Sequence, residues 1–97
     1  MNKYRLSNVA KEDLIRIHNY GMKKFGEAQA DKYFDSFFKY FDIIAEHPFS
    51  FESVDYIKLG YRRCVCGSDS IDYKVNNEAI DIMAIVGRQD LNTIFDD

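Results

Sequence analysis

The residues of this sequence that most directly suggest chemistry are Cys64 and Cys66, which lie two positions apart. They follow a pair of arginines and precede Gly-Ser in the segment GYRRCVCGSDSIDYKV, which spans residues 60–75. Two thiols could bind a metal ion or undergo redox chemistry, and the arginines could contact nucleic-acid phosphates. Whether any of these roles is possible depends on the element that carries the two cysteines.

This segment has the alternation of apolar and polar residues that predicts a β-hairpin. Gly67–Ser68 stands where a tight turn belongs, because glycine adopts positive φ without strain. Strands are predicted on either side of this turn, over 59–66 and 69–75. A second predicted turn at Asn76–Asn77 leads into a third strand over 79–86, so the three strands are expected to be antiparallel.

Counting outward from the first turn pairs Cys64 with Ile71 and places both cysteines on one face of the sheet. They are then about 6.5–7 Å apart, since a strand rises about 3.3 Å per residue, whereas a disulfide needs Cβ atoms about 3.5–4.5 Å apart. A metal site needs further ligands, and the two histidines, His18 and His47, lie on predicted helices. We therefore predict that the cysteines are small buried apolar side chains, with no metal site and no cofactor.

The other face of the sheet is predicted to be polar, as one face of an antiparallel sheet can be. Counting from the two turns places Asp72 opposite both Arg63 and Asp81, so the arginine offsets the repulsion between two carboxylates. The same count places Ala84 and Val86 on the core face. The row of charges could be solvated or could contact a partner, and both interpretations stay open.

The first half of the chain has helical periodicity. Residues 3–7 predict a short strand, after which Ser7 or Asn8 can cap a helix that stops at Gly26. A second helix is predicted from about Glu27 to Glu46, before Pro48. The apolar positions at helical spacing are Ala10, Leu14, Ile17, Gly21 and Phe25 in the first helix and Ala30, Phe34, Phe37, Phe38, Phe41, Ile44 and Ala45 in the second. The sequence therefore predicts an α+β fold: an N-terminal strand and an antiparallel helical hairpin packed on a three- to four-stranded antiparallel sheet.

Length and composition limit the classes of function. A chain of 97 residues predicts one domain over 1–97. No apolar run approaches about 18 residues and the start lacks the features of a secretory signal, so we expect a cytoplasmic protein without membrane contact. A formal net charge of -3 argues against charge-driven nucleic-acid binding. Residues 76–97 carry five acidic groups and a single basic one, Arg88.

Three segments of the sequence resemble the ParE toxins of the RelE/ParE superfamily. GYRRCVCGSDSIDYKV is similar to the family's strand hairpin, in which a glycine, an apolar residue and a basic pair lead to Gly-Ser and a strand ending in Tyr-basic-Val. YRLSNVAKEDLIRI resembles the family's first strand and helix start, and FGEAQADKYFDSFFKYFDIIAEHP resembles its helix junction and second helix. The resemblance covers nearly the whole chain in the right order, and it implies the RelE/ParE-like fold.

The resemblance implies the toxin of a type II toxin–antitoxin pair. Such a toxin would bind DNA gyrase, most directly through the gyrase A subunit, and block replication, and a ParD-like antitoxin would neutralise it in a hetero-oligomer. RelE-like relatives instead cleave mRNA on the ribosome, which is one alternative; the other is a toxin-like fold kept only as an antitoxin-binding or regulatory module. RNA cleavage needs a base and several cations, whereas His18 lies on an apolar stripe and the C-terminal quarter is acidic. We therefore predict a non-enzymatic gyrase inhibitor with no direct nucleic-acid contact.

Two sets of candidate contact residues follow from this prediction. The gyrase-binding candidates lie on the hairpin and in the C-terminal segment, and they are Arg62, Arg63, Arg88, Asp90 and Phe95. The antitoxin-binding candidates lie on the second helix, in the loop after Pro48 and on the sheet, and they are Tyr33, Tyr40, Phe49, Phe51 and Asp72. The two tyrosines are seven positions apart and share a helix flank, while the two phenylalanines are either tucked into the core or exposed for a partner.

Overall fold

The structure is a computed structural model, and it describes residues 3–87. In chain order its elements are β1 (Tyr4–Leu6), α1 (Asn8–Phe25), α2 (Glu27–Glu46), β2 (Glu52–Ser53), β3 (Tyr61–Cys66), β4 (Asp69–Val75) and β5 (Ile80–Gly87). The strands form one sheet in the order β1-β5-β4-β3-β2. The predicted α+β class, with an N-terminal strand and a helical hairpin packed on the sheet, is confirmed.

The sheet has five strands and is mixed, where three to four antiparallel strands were expected. β1 lies beside β5 and runs parallel to it, with Tyr4 opposite Ile80. A parallel pair needs a long connection between its strands, which the helical hairpin and the next three strands provide here. The two-residue strand β2 adds an edge beside β3, with Glu52 opposite Arg63.

Helix α1 begins at a serine cap that also fixes the helix to the sheet. The Ser7 hydroxyl accepts a hydrogen bond from the Ala10 backbone N–H at 3.0 Å, as an N-cap side chain does. The same hydroxyl donates to the Met83 carbonyl of β5 at 2.8 Å. The start of α1 is therefore tied both to its own first turn and to strand β5 of the sheet.

A single glycine joins the two helices. Gly26 has a φ of 89°, which a residue with a Cβ rarely adopts, so it ends α1 at the residue predicted from the sequence. Near this junction the helices come close together, because a Cβ added at Gly21 would lie 3.3 Å from the Ala30 Cβ. The small residues at these two positions thus set the separation of the hairpin.

The core lies between the helical hairpin and one face of the sheet. Phe37, Phe41 and Ile44 of α2 are fully buried, as the helical spacing predicts. They belong to one cluster with Ala10, Leu14, Ile17, Ala45, Cys64, Cys66, Ile71, Tyr73, Ile80, Ile82 and Ile85. Burial of aromatic and branched side chains on this scale provides most of the folding free energy of a small domain.

The two cysteines are part of this core. Cys64 and Cys66 are free thiols and both are buried, which confirms their interpretation as small apolar side chains. Burial raises the pKa of the Cys64 thiol to about 11 and that of Cys66 to about 12. Both side chains are therefore neutral thiols at physiological pH, a form that is a poor nucleophile.

The hairpin formed by β3 and β4 has the predicted register. Cys66 pairs with Asp69 across the Gly67–Ser68 turn, and further out Arg63 pairs with Asp72. Gly67 has a φ of 61°, in the region where glycine is favoured. Strand β3 begins at Tyr61 rather than at residue 59, because the preceding residues form a loop.

The connection between β4 and β5 differs from the prediction. Val75 pairs with Ile80, so residues 76–79 form the loop instead of a two-residue turn. The cause is the Asn76 side chain, whose Oδ1 accepts hydrogen bonds from the backbone N–H groups of Glu78 at 2.9 Å and Ala79 at 2.8 Å. This Asx-type turn widens the loop.

The same strand pair also contains a register shift. Tyr73 pairs with Ile82 but Asp72 pairs with Ala84, which leaves Met83 as an extra residue. The predicted adjacency of Asp72 and Asp81 is wrong because the four-residue loop over 76–79 already places Asp81 opposite Lys74, before the shift is reached.

The shift also reverses the faces of the last residues of β5. Ile85 is buried in the core, whereas Ala84 and Val86, which were predicted to face the core, are only partly buried. Helix α1 holds the shifted strand, since the Asp13 Oδ2 accepts a hydrogen bond from the Ile85 backbone N–H at 2.9 Å.

Candidate partner-binding surfaces

An ion pair occupies the outer face of the sheet, the face that the helices leave uncovered. The Arg63 guanidinium donates from Nε to Asp72 Oδ1 at 2.7 Å and from Nη2 to Asp72 Oδ2 at 3.0 Å. Both side chains are largely buried, and the hydrogen bond to Asp72 raises the pKa of the Arg63 guanidinium. This two-pronged pair neutralises both charges, so a partner at this position would meet a rigid and nearly neutral surface.

The third member of the predicted charged row has different neighbours. Asp81 Oδ1 accepts from Arg5 Nε at 3.0 Å, and Asp81 Oδ2 accepts from Asn76 Nδ2 at 2.6 Å. Asp81 thus joins β1 to β5 and supports the 76–79 loop. The outer face has two separate charge clusters instead of one continuous row.

The two phenylalanines in the loop after α2 have different environments, which answers the open question of whether they are buried or exposed. Phe51 is partly buried against the core and meets the Tyr73 ring edge-on at 6.5 Å between centroids. Phe49 is 67% exposed, and the Arg62 guanidinium lies over its ring at 5.1 Å. Arg62 Nη1 also donates to the Phe51 carbonyl at 2.8 Å. One arginine therefore holds the loop, and only Phe49 is presented outward.

The hairpin tip between β2 and β3, residues 54–60, is a feature that the sequence reasoning missed. The backbone N–H groups of Ile57 and Lys58 donate to the Val54 carbonyl at 2.8 and 3.0 Å. The Gly60 N–H donates to Asp55 Oδ1 at 2.8 Å. Val54 is buried, while Tyr56, Ile57 and Leu59 are 78%, 55% and 85% exposed. The apolar residues of YIKL, just before Gly60, are typical of a segment that leads into a buried strand. In the structure they form the outer surface of this tip instead.

At the opposite end of β3, Tyr33 joins α2 to the β3–β4 turn. Its hydroxyl donates to Asp69 Oδ2 at 2.6 Å and lies 3.3 Å from the Cys66 carbonyl oxygen. Its ring meets Phe37 edge-on at 5.1 Å. Burial, together with the hydrogen bond to Asp69, raises the pKa of the Tyr33 hydroxyl. Tyr33 is therefore a fixed structural contact as well as a candidate for partner binding.

Tyr33 also lines a groove of about 850 Å³ between the two helices and the β3–β4 turn. Its floor and walls include Ile17, Tyr20, Phe25 and Ala30, and basic side chains around it are Arg16, Lys24 and Lys32. An apolar groove with basic side chains suits an amphipathic segment that carries acidic residues. The sequence predicted the tyrosine but not the groove, because the groove exists only when the helices and the turn come together.

The remaining candidates have mixed placements. Tyr40 is partly buried against the core. His18 bridges the two helices, with its Nε2 2.7 Å from Asp31 Oδ1 and its ring edge-on to Phe34 at 5.2 Å, as a structural histidine would be.

Three gyrase-binding candidates, Arg88, Asp90 and Phe95, lie outside the described residues. Within residues 3–87, no helix is long and apolar enough to cross a membrane, and no group of three potential ligands could hold a metal ion.

The fold and these surfaces define the class of protein. A solved structure described as the chromosomal ParDE TA system from P. aeruginosa contains a chain with the same fold, with a TM-score of 0.80 over 90% of this chain and 96% of that chain. The two sequences are 17% identical, so this likeness establishes the fold alone.

The sequence comparisons then establish the family. The model of the ParE toxin of the type II toxin–antitoxin system parDE matches residues 4–92. Toxin ParE1 of Caulobacter vibrioides is 39% identical over 75 residues, which cover 77% of this chain and 78% of that protein. The chain therefore belongs to the ParE toxins of type II toxin–antitoxin systems, and the resemblance found in the sequence is confirmed.

Proposed function

We propose that this ParE-family toxin binds DNA gyrase, through the gyrase A subunit, and thereby blocks replication in the cytoplasm. A ParD-like antitoxin neutralises it by forming a hetero-oligomer. The observation that carries the proposal is the family match over residues 4–92, supported by the 39% identity to a toxin named ParE1. The toxin acts by binding a protein and not by catalysis.

The antitoxin surface that the geometry favours is the groove lined by Tyr33. An amphipathic antitoxin segment would place apolar side chains against Tyr20 and Phe25 and acidic side chains near Lys24 and Lys32. A segment that is disordered when free would gain its order on this preformed groove. Of the other antitoxin candidates, Phe49 is exposed, while Tyr40, Phe51 and Asp72 are partly or largely buried and would contact a partner through smaller areas.

The gyrase surface proposed from the sequence combines Arg62 and Arg63 with Arg88, Asp90 and Phe95. Within the described residues, Arg63 is bound by Asp72 and Arg62 is held by Phe51 and Phe49. Because Asp72 neutralises Arg63, strand β3 offers one cation, Arg62, and RNA cleavage needs several, which favours gyrase binding over the ribosome-dependent endonuclease.

Two assays on the purified full-length toxin test this proposal. We expect inhibition of gyrase supercoiling with no cleavage of mRNA in a translating extract, and release of gyrase when a ParD-like antitoxin is added. A toxin that cuts mRNA and leaves gyrase unaffected would establish the endonuclease alternative.

Variants of the C-terminal segment test the contact residues separately. Removal of residues 88–97 should abolish gyrase inhibition and leave most of the antitoxin affinity. Arg88→Glu should weaken inhibition more than Arg88→Ala, because it adds negative charge to an acidic segment. A truncated toxin that inhibits gyrase as well as the full chain does would exclude this segment as the contact.

A further inference from the structure

The hairpin tip of residues 54–60 displays an unusual amount of apolar surface. Tyr56, Ile57 and Leu59 lie within four consecutive positions, and Leu59 and Tyr56 are the two most exposed large hydrophobic residues among those the structure describes. Single exposed apolar side chains are common on protein surfaces, but a cluster of them marks an interaction site. The fold does not need this cluster, because Val54 alone anchors the tip in the interior.

The tip is held in one shape by its own backbone. Five hydrogen bonds among the described residues close it: Val54 N–H to the Tyr61 carbonyl, Ile57 N–H and Lys58 N–H to the Val54 carbonyl, Tyr61 N–H to the Lys58 carbonyl, and Gly60 N–H to the Asp55 carboxylate. Gly60 has a φ of 83°, which allows the chain to turn back into β3. A surface that is already ordered loses little conformational entropy when it binds.

Cations flank the apolar cluster. Lys58 Nζ lies 5.2 Å from the centre of the Tyr61 ring, and the Arg62 guanidinium lies 5.1 Å from the centre of the exposed Phe49 ring. Two carboxylates lie in the same region: Asp55, which accepts a hydrogen bond from the Gly60 N–H, and Glu52, which pairs with Arg63 in the β2–β3 register. Charges of both signs therefore surround the apolar side chains, and the Lys58 ammonium, which the structure places over the Tyr61 ring, is the cation within the tip that a carboxylate beside an apolar pocket would complement.

The tip and the groove lie at opposite ends of β3. The groove includes Ser68 and Asp69, next to the Cys66 end of the strand, whereas the tip leads directly into Tyr61. Five residue steps separate these ends, or about 17 Å at about 3.3 Å per residue. A partner segment in the groove thus leaves the tip accessible to a different protein.

We propose that the tip is the docking element for the folded target of this toxin, with Tyr56, Ile57 and Leu59 entering an apolar pocket that is edged by carboxylates. A protruding and preformed knob suits a pocket on a folded protein, whereas a groove suits a flexible segment. This inference rests on the proposed function, in which the folded target is gyrase. It extends the candidate surface at Arg62 to residues that no sequence pattern indicated.

The test compares the triple variant Tyr56→Ser/Ile57→Ser/Leu59→Ser with two matched controls, Ile15→Ser on α1 and Val65→Ser on β3. The control side chains are 60% and 58% exposed but lie in other parts of the fold. Affinity for the gyrase A subunit, inhibition of supercoiling, antitoxin affinity and thermal unfolding are measured for each protein. We expect the triple variant to lose at least about tenfold in gyrase affinity, as buried contact residues do, while its antitoxin affinity and melting temperature match those of the controls.

A charge variant sharpens the same test. Lys58→Glu should slow association with gyrase about tenfold at low salt and less at high salt, because it reverses charge complementarity. Lys11→Glu on α1 serves as the control and should leave the rate unchanged. Equal association rates for Lys58→Glu and the wild type would overturn the charge assignment at the tip.

The outcomes separate the two proposals. If the wild type inhibits gyrase and the triple variant inhibits it equally well, the tip inference is wrong and the proposed function stands. If the wild type arrests cell growth without affecting gyrase, the proposed function is wrong. Growth arrest then tests the tip: the inference holds only if the triple variant, still folded and still able to bind the antitoxin, no longer arrests growth. A wild-type dimer that the triple variant cannot form would assign the tip to self-association and overturn the inference, as would a wild-type chain with no toxicity at all.

Discussion

The two ends of strand β3 are built differently. At the Cys66 end, side chains hold the structure: Tyr33 bonds to Asp69 and packs on Phe37, and the turn glycine lies against the same tyrosine. At the Tyr61 end, backbone hydrogen bonds, the Asp55 carboxylate and the buried Val54 hold the hairpin tip, while its large apolar side chains face solvent. At the groove, the same residues stabilise the fold and form the surface. At the tip, the residues that stabilise the fold differ from those that form the surface.

This difference determines whether a substitution changes partner binding alone or changes stability and binding together. A change at the groove alters folding and partner binding together, so loss of antitoxin affinity there needs a stability control. A change at the tip alters the surface and leaves the fold nearly intact, because surface substitutions usually change stability by less than about 0.5 kcal/mol. The following predictions test that contrast, from the largest effect to the smallest.

The largest effect is expected from the aromatic ring beneath Tyr33. Phe37→Ala should lower the free energy of unfolding by about 3–5 kcal/mol, because it removes a fully buried ring and leaves a cavity under the groove. Leu59→Ala at the tip is the control and should change that free energy by less than about 0.5 kcal/mol. Urea unfolding followed by circular dichroism measures both. Similar losses for the two variants would show that the ends of β3 do not differ in this way.

The buried thiols predict a loss of stability at alkaline pH. Their folded pKa values, about 11 for Cys64 and about 12 for Cys66, lie above the ordinary value of 9.0. For a group whose pKa is raised on folding, the stabilising contribution is complete below the unfolded pKa and is lost as pH rises toward the folded pKa. The free energy of unfolding should therefore fall by about 1 kcal/mol per thiol between pH 8 and about pH 10.

The double variant Cys64→Val/Cys66→Val provides the comparison for this pH dependence. The swap should cost less than about 1.5 kcal/mol for each position at pH 7, since the volumes are similar. The variant should lose most of the decline between pH 8 and about pH 10, because the stabilising contribution of buried Tyr73 is lost only as pH rises above the ordinary tyrosine pKa of 10.0, which is higher than the 9.0 of a thiol. An unchanged decline in the variant would assign the alkaline transition to groups other than the thiols.

A smaller effect is expected from the hydroxyl at the groove. Tyr33→Phe should lower the free energy of unfolding by about 1.5 kcal/mol, because it removes a hydrogen bond to a partly buried carboxylate. Tyr56→Phe at the tip is the matched control, and it should have little effect, since its side chain is largely exposed and no hydrogen bond among the described residues involves that hydroxyl. Thermal unfolding at pH 7 compares the two. If Tyr33→Phe is as stable as its control, the short contact to Asp69 does not stabilise the groove.

Local sequence patterns determined much of this protein. The helical spacing identified Phe37, Phe41 and Ile44 as core residues, Ser7 and Gly26 marked helix boundaries, and the Gly67–Ser68 turn fixed the register that pairs Arg63 with Asp72. These features could be predicted because each depends on residues close together in the chain. A helix presents its apolar face every three to four residues, and a two-residue turn dictates the pairing of the strands beside it.

Features that depend on residues far apart in the chain could not be predicted from local patterns. The shift in β5 is stabilised by Asp13 and Ser7 of the first helix region, which bond to Ile85 and Met83 about seventy positions away. The parallel pairing of β1 with β5 requires the intervening helices and strands to be in place. The groove likewise exists only where two helices meet a turn. The periodicity of apolar residues in the sequence does not indicate which distant polar group will accept a hydrogen bond from a given backbone N–H. These arrangements are therefore visible only in the folded chain.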